Sequence, residues 1–153
     1  ISGRMRRAIN DKFNFSLAGR MQSSFGDALL TAEQFGIAGS QELSAFDAGA
    51  IKGDSGFVAR AEISMPKQVS YGETPLLISP YIFGAYGDVS LEAPTAQEAA
   101  SLSATSVGIG VELNTLSKSN FSSATVRIEY ARGTRDDNLP DNNRFSIQGS
   151  FRF

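Results

Sequence analysis

From residue 12 onward the chain alternates. Near its end, Phe145, Ile147, Phe151 and Phe153 take turns with Arg144, Ser146, Gln148, Ser150 and Arg152. Successive side chains of a β-strand point to opposite faces, so this period of two sorts apolar groups to one side and polar groups to the other. Residues 12–23 repeat it, with Phe13, Phe15, Leu17, Gly19 and Met21 opposing Asn14, Ser16, Ala18, Arg20 and Gln22. Residues 57–65 set Phe57, Ala59, Ala61, Ile63 and Met65 against Val58, Arg60, Glu62 and Ser64. Residues 101–114 set Val107, Ile109, Val111 and Leu113 against Ser106, Gly108, Gly110 and Glu112. Residues 121–132 set Ala124, Val126, Ile128 and Tyr130 against Thr125, Arg127, Glu129 and Ala131. A further strand over 74–89 places Leu76, Ile78, Pro80 and Ile82 opposite Leu77, Ser79, Tyr81, Phe83 and Ala85, although Pro75 and Pro80 cannot donate to a ladder.

About six strands of ten or so residues are long for a soluble sandwich, whose strands run about five or six residues. Strands that cross a bilayer at a tilt, apolar outward and polar inward, with short and long connections in turn, mark an outer-membrane barrel. The expected fold is therefore all-β, an antiparallel transmembrane β-barrel. Arg20, Arg60, Glu62, Arg127, Glu129, Arg144 and Arg152 share the polar side and are the expected pore-lining residues. Six strands fall short of the roughly eight that close the smallest membrane barrels. Unpaired backbone in hydrocarbon costs several kcal/mol per group, so residues 1–153 are expected to be the C-terminal portion of a larger barrel. Phe151 and Phe153 fit that placement as the aromatic end that outer-membrane assembly machinery reads. Residues 1–10 show no clear period and read as a turn or frayed end despite Arg4, Arg6 and Arg7. Residues 66–73 read as a turn or short connection, 91–101 as a loop with at most one helical turn, and 133–142 as a polar loop.

Composition narrows the chemistry. The chain has no run of about eighteen apolar residues, so no helix spans a membrane. With no cysteine there is no disulfide, thiolate site or Cys nucleophile, and with no histidine the usual general base and metal ligand are missing. The net charge of −2 supplies no basic field for nucleic acid. No apolar segment follows Arg4–Arg7, so the chain is expected to be a processed form or a fragment.

The remaining feature is the Gly- and Ala-rich stretch over 33–62, which carries a loop of about 25–54. A connection near thirty residues is far longer than a strand pair needs and is usually functional or disordered. It ends in Gly53-Asp54-Ser55-Gly56. A nucleophilic serine there lacks a base, and an Asp in a turn caps backbone amides far more often than it binds metal. Asp136, Asp137 and Asp141 have the chemistry of a weak Ca²⁺ site, but a solvated loop explains them better. Neither catalysis nor a cofactor is expected.

Glu33-Gln34-Phe35, Ile37-Ala38-Gly39, Leu43-Ser44-Ala45-Phe46, Gly53-Asp54-Ser55-Gly56 and Arg60-Ala61-Glu62, taken in order, resemble the barrel of the two-partner secretion translocators, the hemolysin secretion/activation proteins. That family reads E-Q-F-x-[IL]-G-G-x-x-S-V-R-G-F, then G-D-x-G, then an R-x-E-like strand. Residues 79–87, with Phe83, Ala85 and Gly87, are similar to its P-[YF]-x-F-x-D-x-G strand. The resemblance covers about 13–153 and implies the last six strands of a barrel of about sixteen. It further implies an outer-membrane pore that secretes a large exoprotein without nucleotide hydrolysis, behind N-terminal POTRA domains. The implied partners are that exoprotein, outer-membrane lipid and the barrel assembly machinery. The long loop would fold into the lumen, where the family's motif Arg pairs with the wall Asp through charge-assisted hydrogen bonds.

Here both members of that pair are missing. Ser44 stands for the Arg, Ala45 for the following Gly, and Ala85 for the Asp. Losing one alone would leave an uncompensated charge; losing both removes the penalty together with the lock. The loop is then held by other contacts, with Phe46 and Phe83 as candidates for apolar packing, or it moves more freely. The alternative to a secretion pore is a passive outer-membrane channel or surface-binding barrel without secretion activity. A soluble β-sandwich is the third reading, and it requires the apolar faces to pack together.

Overall fold

The computed structural model describes residues 1–71, 74–96, 98–115, 123–137 and 139–152, and these contain strands, turns and loops but no helix. In order the strands are β1 (Ser2–Ala8), β2 (Asn14–Gln22), β3 (Phe35–Gly36), β4 (Lys52–Gly53), β5 (Ser55–Ser64), β6 (Lys67–Tyr71), β7 (Thr74–Ser90), β8 (Ser101–Thr115), β9 (Ser123–Arg135) and β10 (Asn142–Arg152). Eight of them form one antiparallel sheet in the order β1-β2-β5-β7-β8-β9-β10, with β6 beside β7. The short β3 and β4 pair with each other inside the long loop.

Two stretches expected as turns are strands. Residues 1–10 contain β1, which pairs along β2 from Ser2↔Arg20 to Ala8↔Asn14. Its outward row is Gly3, Met5 and Arg7, with a single large apolar residue, so no period of two was visible; the ladder to β2 makes the strand. Residues 66–73 contain β6, which continues β5. Ser64 faces Tyr81 and Lys67 faces Ile78, leaving two residues on each side with no slip in register. Pro66 and Pro80 lie in that gap, and neither has an N–H to give. One long strand is thereby divided into two. β9 also runs three residues past its expected end, to Arg135. Phe153 and the expected strand start at 121–122 lie outside the described residues.

At about 3.3 Å per residue and a 45° tilt, the 15 residues of β8 span roughly 33 Å, enough for an apolar band about 25 Å tall. The convex side supplies that band. Val107 is 56% exposed, Ile109 61%, Phe145 64% and Ile147 64%, and among the described residues no second layer covers them. Phe57 and Tyr86 pack at 5.7 Å between ring centroids on this side. A soluble sandwich would have buried these side chains against a facing sheet. The sheet is part of an outer-membrane-type barrel.

The buried core lies on the concave side. Phe35, Ile37, Ala38, Leu43, Ala45, Phe46 and Ile51 of the loop pack against Val58, Tyr81, Phe83, Ala85, Val89, Ala104 and Ala131 of the wall. Below them an open cavity of about 300 Å³ is lined from β1 round to β10, including Arg4, Arg6, Glu62, Glu112, Arg127 and Gln148. The sheet therefore curls around a polar interior that residues 23–54 partly fill.

Candidate functional site

The loop leaves β2 at Ser23 and returns as β5 at Ser55, folded on itself by the β3–β4 pair. Three wall arginines reach it from three strands. Arg20 of β2 donates to Glu42 Oε1 at 2.7 Å and to the Gly36 carbonyl at 2.9 Å. Arg60 of β5 donates to Ser44 Oγ at 3.2 Å and to the Glu42 carbonyl at 3.3 Å. Arg144 of β10 donates to the Phe46 carbonyl at 2.9 Å and to Asp47 Oδ1 at 2.7 Å. On β8, Ser106 Oγ accepts from the Ala45 amide at 3.2 Å. Guanidinium groups are suited to this, because several fixed donors can hold backbone carbonyls and side chains at once.

The apolar contacts depend on small wall residues. A Cβ on Gly133 would lie 2.6 Å from the Phe46 ring and 2.7 Å from Ala45 Cβ, so glycine makes room for the loop's largest buried side chain. Phe83 faces Gly108 and Tyr81 faces Gly110 across the strands, each ring lying over its glycine partner. Ile37 comes within contact of Gly87 in the same way.

Beneath the loop is a charge cluster. Arg60 Nη2 and Tyr81 Oη each donate to Glu129 Oε2 at 2.7 Å, and Arg127 Nη2 joins them at 3.2 Å. Arg127 also pairs with Glu62 at 2.6 Å. The Arg60 guanidinium lies 3.5 Å from the centroid of Phe83, and that of Arg127 4.2 Å from Tyr81. Two arginines thus alternate with two glutamates over an aromatic floor, and charge assistance strengthens each hydrogen bond in this water-poor setting.

Asp54 organises the base of the loop. Its carboxylate accepts from the Glu92 amide at 2.8 Å, the Leu29 amide at 3.1 Å and the Gln34 side chain at 3.3 Å. Those amides hold its pKa below the ordinary 3.8, with the Glu92 amide first and Leu29 next. It caps backbone, and among the described residues no three carboxylates cluster as a metal site. Gly53 and Gly56 lie so close to β7 that a Cβ would strike the Ser90 and Asp88 carbonyls at 2.7 and 2.4 Å.

Of the expected site residues, Leu43, Ala45 and Phe46 pack in one core with Phe83 and Ala85, Ser44 is held beside them by Arg60, and Gly87 takes Ile37. Gly53 and Asp54 lie apart from these at the loop base, beside Val89, Ser90 and Glu92. Gly39 sits at a loop turn where the Glu42 amide bonds its carbonyl. Glu62 and Arg127 line the open cavity. Arg60, although 6% exposed, also borders that cavity. Glu129 does not border it as expected of a lumenal residue: it is 3% exposed and sealed under the loop. Arg152 is exposed and joins none of the hydrogen bonds described. Tyr81, Ser106 and Gly133 are site members that the pattern did not single out. Aromatic Tyr81 on the polar row was the available signal, since a large ring on a wet face needs a cover.

Comparison with curated proteins and with solved structures returned no match. The family model for haemolysin secretion/activation proteins, ShlB/FhaC/HecB, matches residues 2–114, from the first strand through nearly all of β8 and including the whole loop. That family comprises outer-membrane translocators of two-partner secretion, which work with a secreted exoprotein. A plugged, charged concave face, an apolar convex face and this match together place the chain in the ShlB/FhaC/HecB family of haemolysin secretion/activation proteins, as part of the translocator's barrel.

Proposed function

We propose that this chain is the plug-bearing, C-terminal part of an outer-membrane pore of about sixteen strands that secretes a large haemolysin- or adhesin-type exoprotein. One observation carries the reading: the long loop packs Phe35, Ile37, Leu43, Phe46 and Ile51 into a charged concave wall whose reverse side is exposed and apolar. Such a wall offers a translocating chain hydrogen-bonding and charged groups, Glu62, Glu112 and Arg127 among them, while its outer side meets lipid. Transport of this kind needs no nucleotide hydrolysis and no active-site chemistry. The partners are the exoprotein, Gram-negative outer-membrane lipid and the assembly machinery, which would read the end of β10 with its exposed Phe151.

The passive-channel alternative rested on the loss of the family's Arg and Asp at Ser44 and Ala85. The arginines at 20, 60 and 144 favour the secretion reading, because the loop has other anchors. The test uses the full-length protein in outer membranes of a host that also expresses a candidate exoprotein of the haemolysin or adhesin type. The exoprotein should reach the medium only when the pore is present, and the purified pore should conduct more after deletion of residues 38–49. Conductance without secretion would establish the passive channel. Recovery of the protein in the aqueous fraction without detergent would overturn both.

A further inference from the structure

We infer that Arg60, positioned by Glu129, is the latch that keeps the plug in the lumen, so that breaking this wall-borne pair frees residues 42–47. The inference rests on the pore reading above and names the residues that govern its opening. Among the three arginines that touch the loop, Arg60 stands apart by burial. Its side chain is 6% exposed, against 44% for Arg20 and 39% for Arg144. It is also the arginine whose guanidinium is divided between loop and wall. Nη1 holds Ser44 Oγ and the Glu42 carbonyl, while Nη2 holds Glu129 Oε2. Phe83 below fixes the plane of the group at 3.5 Å, and Glu129 is itself set by Tyr81 Oη at 2.7 Å.

The sequence separations matter. Arg60 and Glu129 lie 69 residues apart on β5 and β9, with β7 and β8 between them. A guanidinium bridging that width fixes the curl of the wall and the seat of Ser44 together. Ala85 lies directly across the ladder from Arg60, so the wall position adjoining the latch carries no acceptor to compete with Glu129. Glu129 Oε1 has no partner among the described residues, which leaves the carboxylate committed through Oε2 to Arg60, Tyr81 and Arg127. The latch also connects with the open cavity. Arg127 links Glu129 to Glu62 and Glu112, both of which line it. A polypeptide in the lumen that pairs with these groups competes for the ions that position Arg60.

The experiment uses the full-length protein in a cysteine-free background with Ala45→Cys, a position 3% exposed in the docked plug. Labelling by a membrane-impermeant maleimide is followed beside single-channel conductance and heat-modifiable mobility, which reports the intact barrel. Arg60→Met should speed labelling at position 45 about tenfold or more, as expected from loss of charged hydrogen bonds, and lengthen open events. Glu129→Gln, which keeps size and shape, should act in the same direction, and Arg60→Lys should fall between. Arg20→Met should change labelling less than threefold, because its site is solvent-screened. A wild-type pore that conducts while Arg60→Met and Glu129→Gln both label at the wild-type rate overturns the latch. If Arg60→Met fails to assemble, Glu129→Gln alone decides. Absence of channels from the wild type itself would sink the pore reading instead.

Discussion

Replacing Phe46 by Ala should release the plug more than any single arginine substitution at the exposed pins. Phe46 is 1% exposed, its ring is seated over Gly133, and it is the largest fully buried side chain among the described residues. Truncating a buried Phe to Ala costs about 3–5 kcal/mol, combining lost transfer energy with the void left behind. The adjacent Arg144–Asp47 pair has side chains 39% and 89% exposed, and exposed pairs contribute about 0.2–1 kcal/mol. Apolar burial therefore outweighs this ion pair several-fold. At about 1.4 kcal/mol per factor of ten, the docked-to-undocked ratio should fall roughly 100- to 4,000-fold. Lys52 is the one trypsin site between residues 23 and 54, so its cleavage in the detergent-solubilised protein reads loop opening directly. When opening and closing outpace cleavage, the rate follows the open population. Cleavage of Phe46→Ala within threefold of wild type, or faster cleavage of Arg144→Met, would refute the ranking of packing over surface charge.

The same assay serves the other predictions. Gly133→Val should expel the plug while leaving the barrel's heat-modifiable mobility intact, because its Cβ would occupy the space of the Phe46 ring and Ala45. In a double-mutant cycle, Ser44→Arg alone should loosen the loop by crowding a second guanidinium beside Arg60, and Ala85→Asp, directly across from Arg60, should reverse this. The double variant should be better protected than wild type, with a coupling of about 0.5–3 kcal/mol; unchanged protection counts against it. Asp54 sets an acid limit. Its folded-state pKa lies below the ordinary 3.8, so its contribution is complete above that value and is lost as pH falls through the lower folded value. Loop protection should hold from pH 7 to about 4 and fail below, and Asp54→Asn should flatten that profile; a midpoint near pH 6 would exclude Asp54 as the titrating group.

Most strands of the sheet were legible from local order alone. A strand between lipid and water must alternate at every residue, and that demand is written into Phe145–Phe151 or Phe57–Ile63 without reference to anything distant. β1 escaped because its outward row holds only Met5 as a large apolar residue, and β6 because Pro66 and Pro80 interrupt its ladder while leaving its register unchanged. The loop's length and its Leu43-Ser44-Ala45-Phe46 motif marked it as special, and the family resemblance located the missing Arg and Asp. What takes their place could not be read the same way. Arg60, Ser44 and Glu129 meet only because the four strands from β5 to β9 curl until residues 44 and 129 lie on either side of one guanidinium. Alternation assigns a side chain to a face, which is a one-dimensional property of the chain. Whether that face meets water or is sealed by a plug depends on contacts between residues far apart in sequence, and only the folded structure decides it.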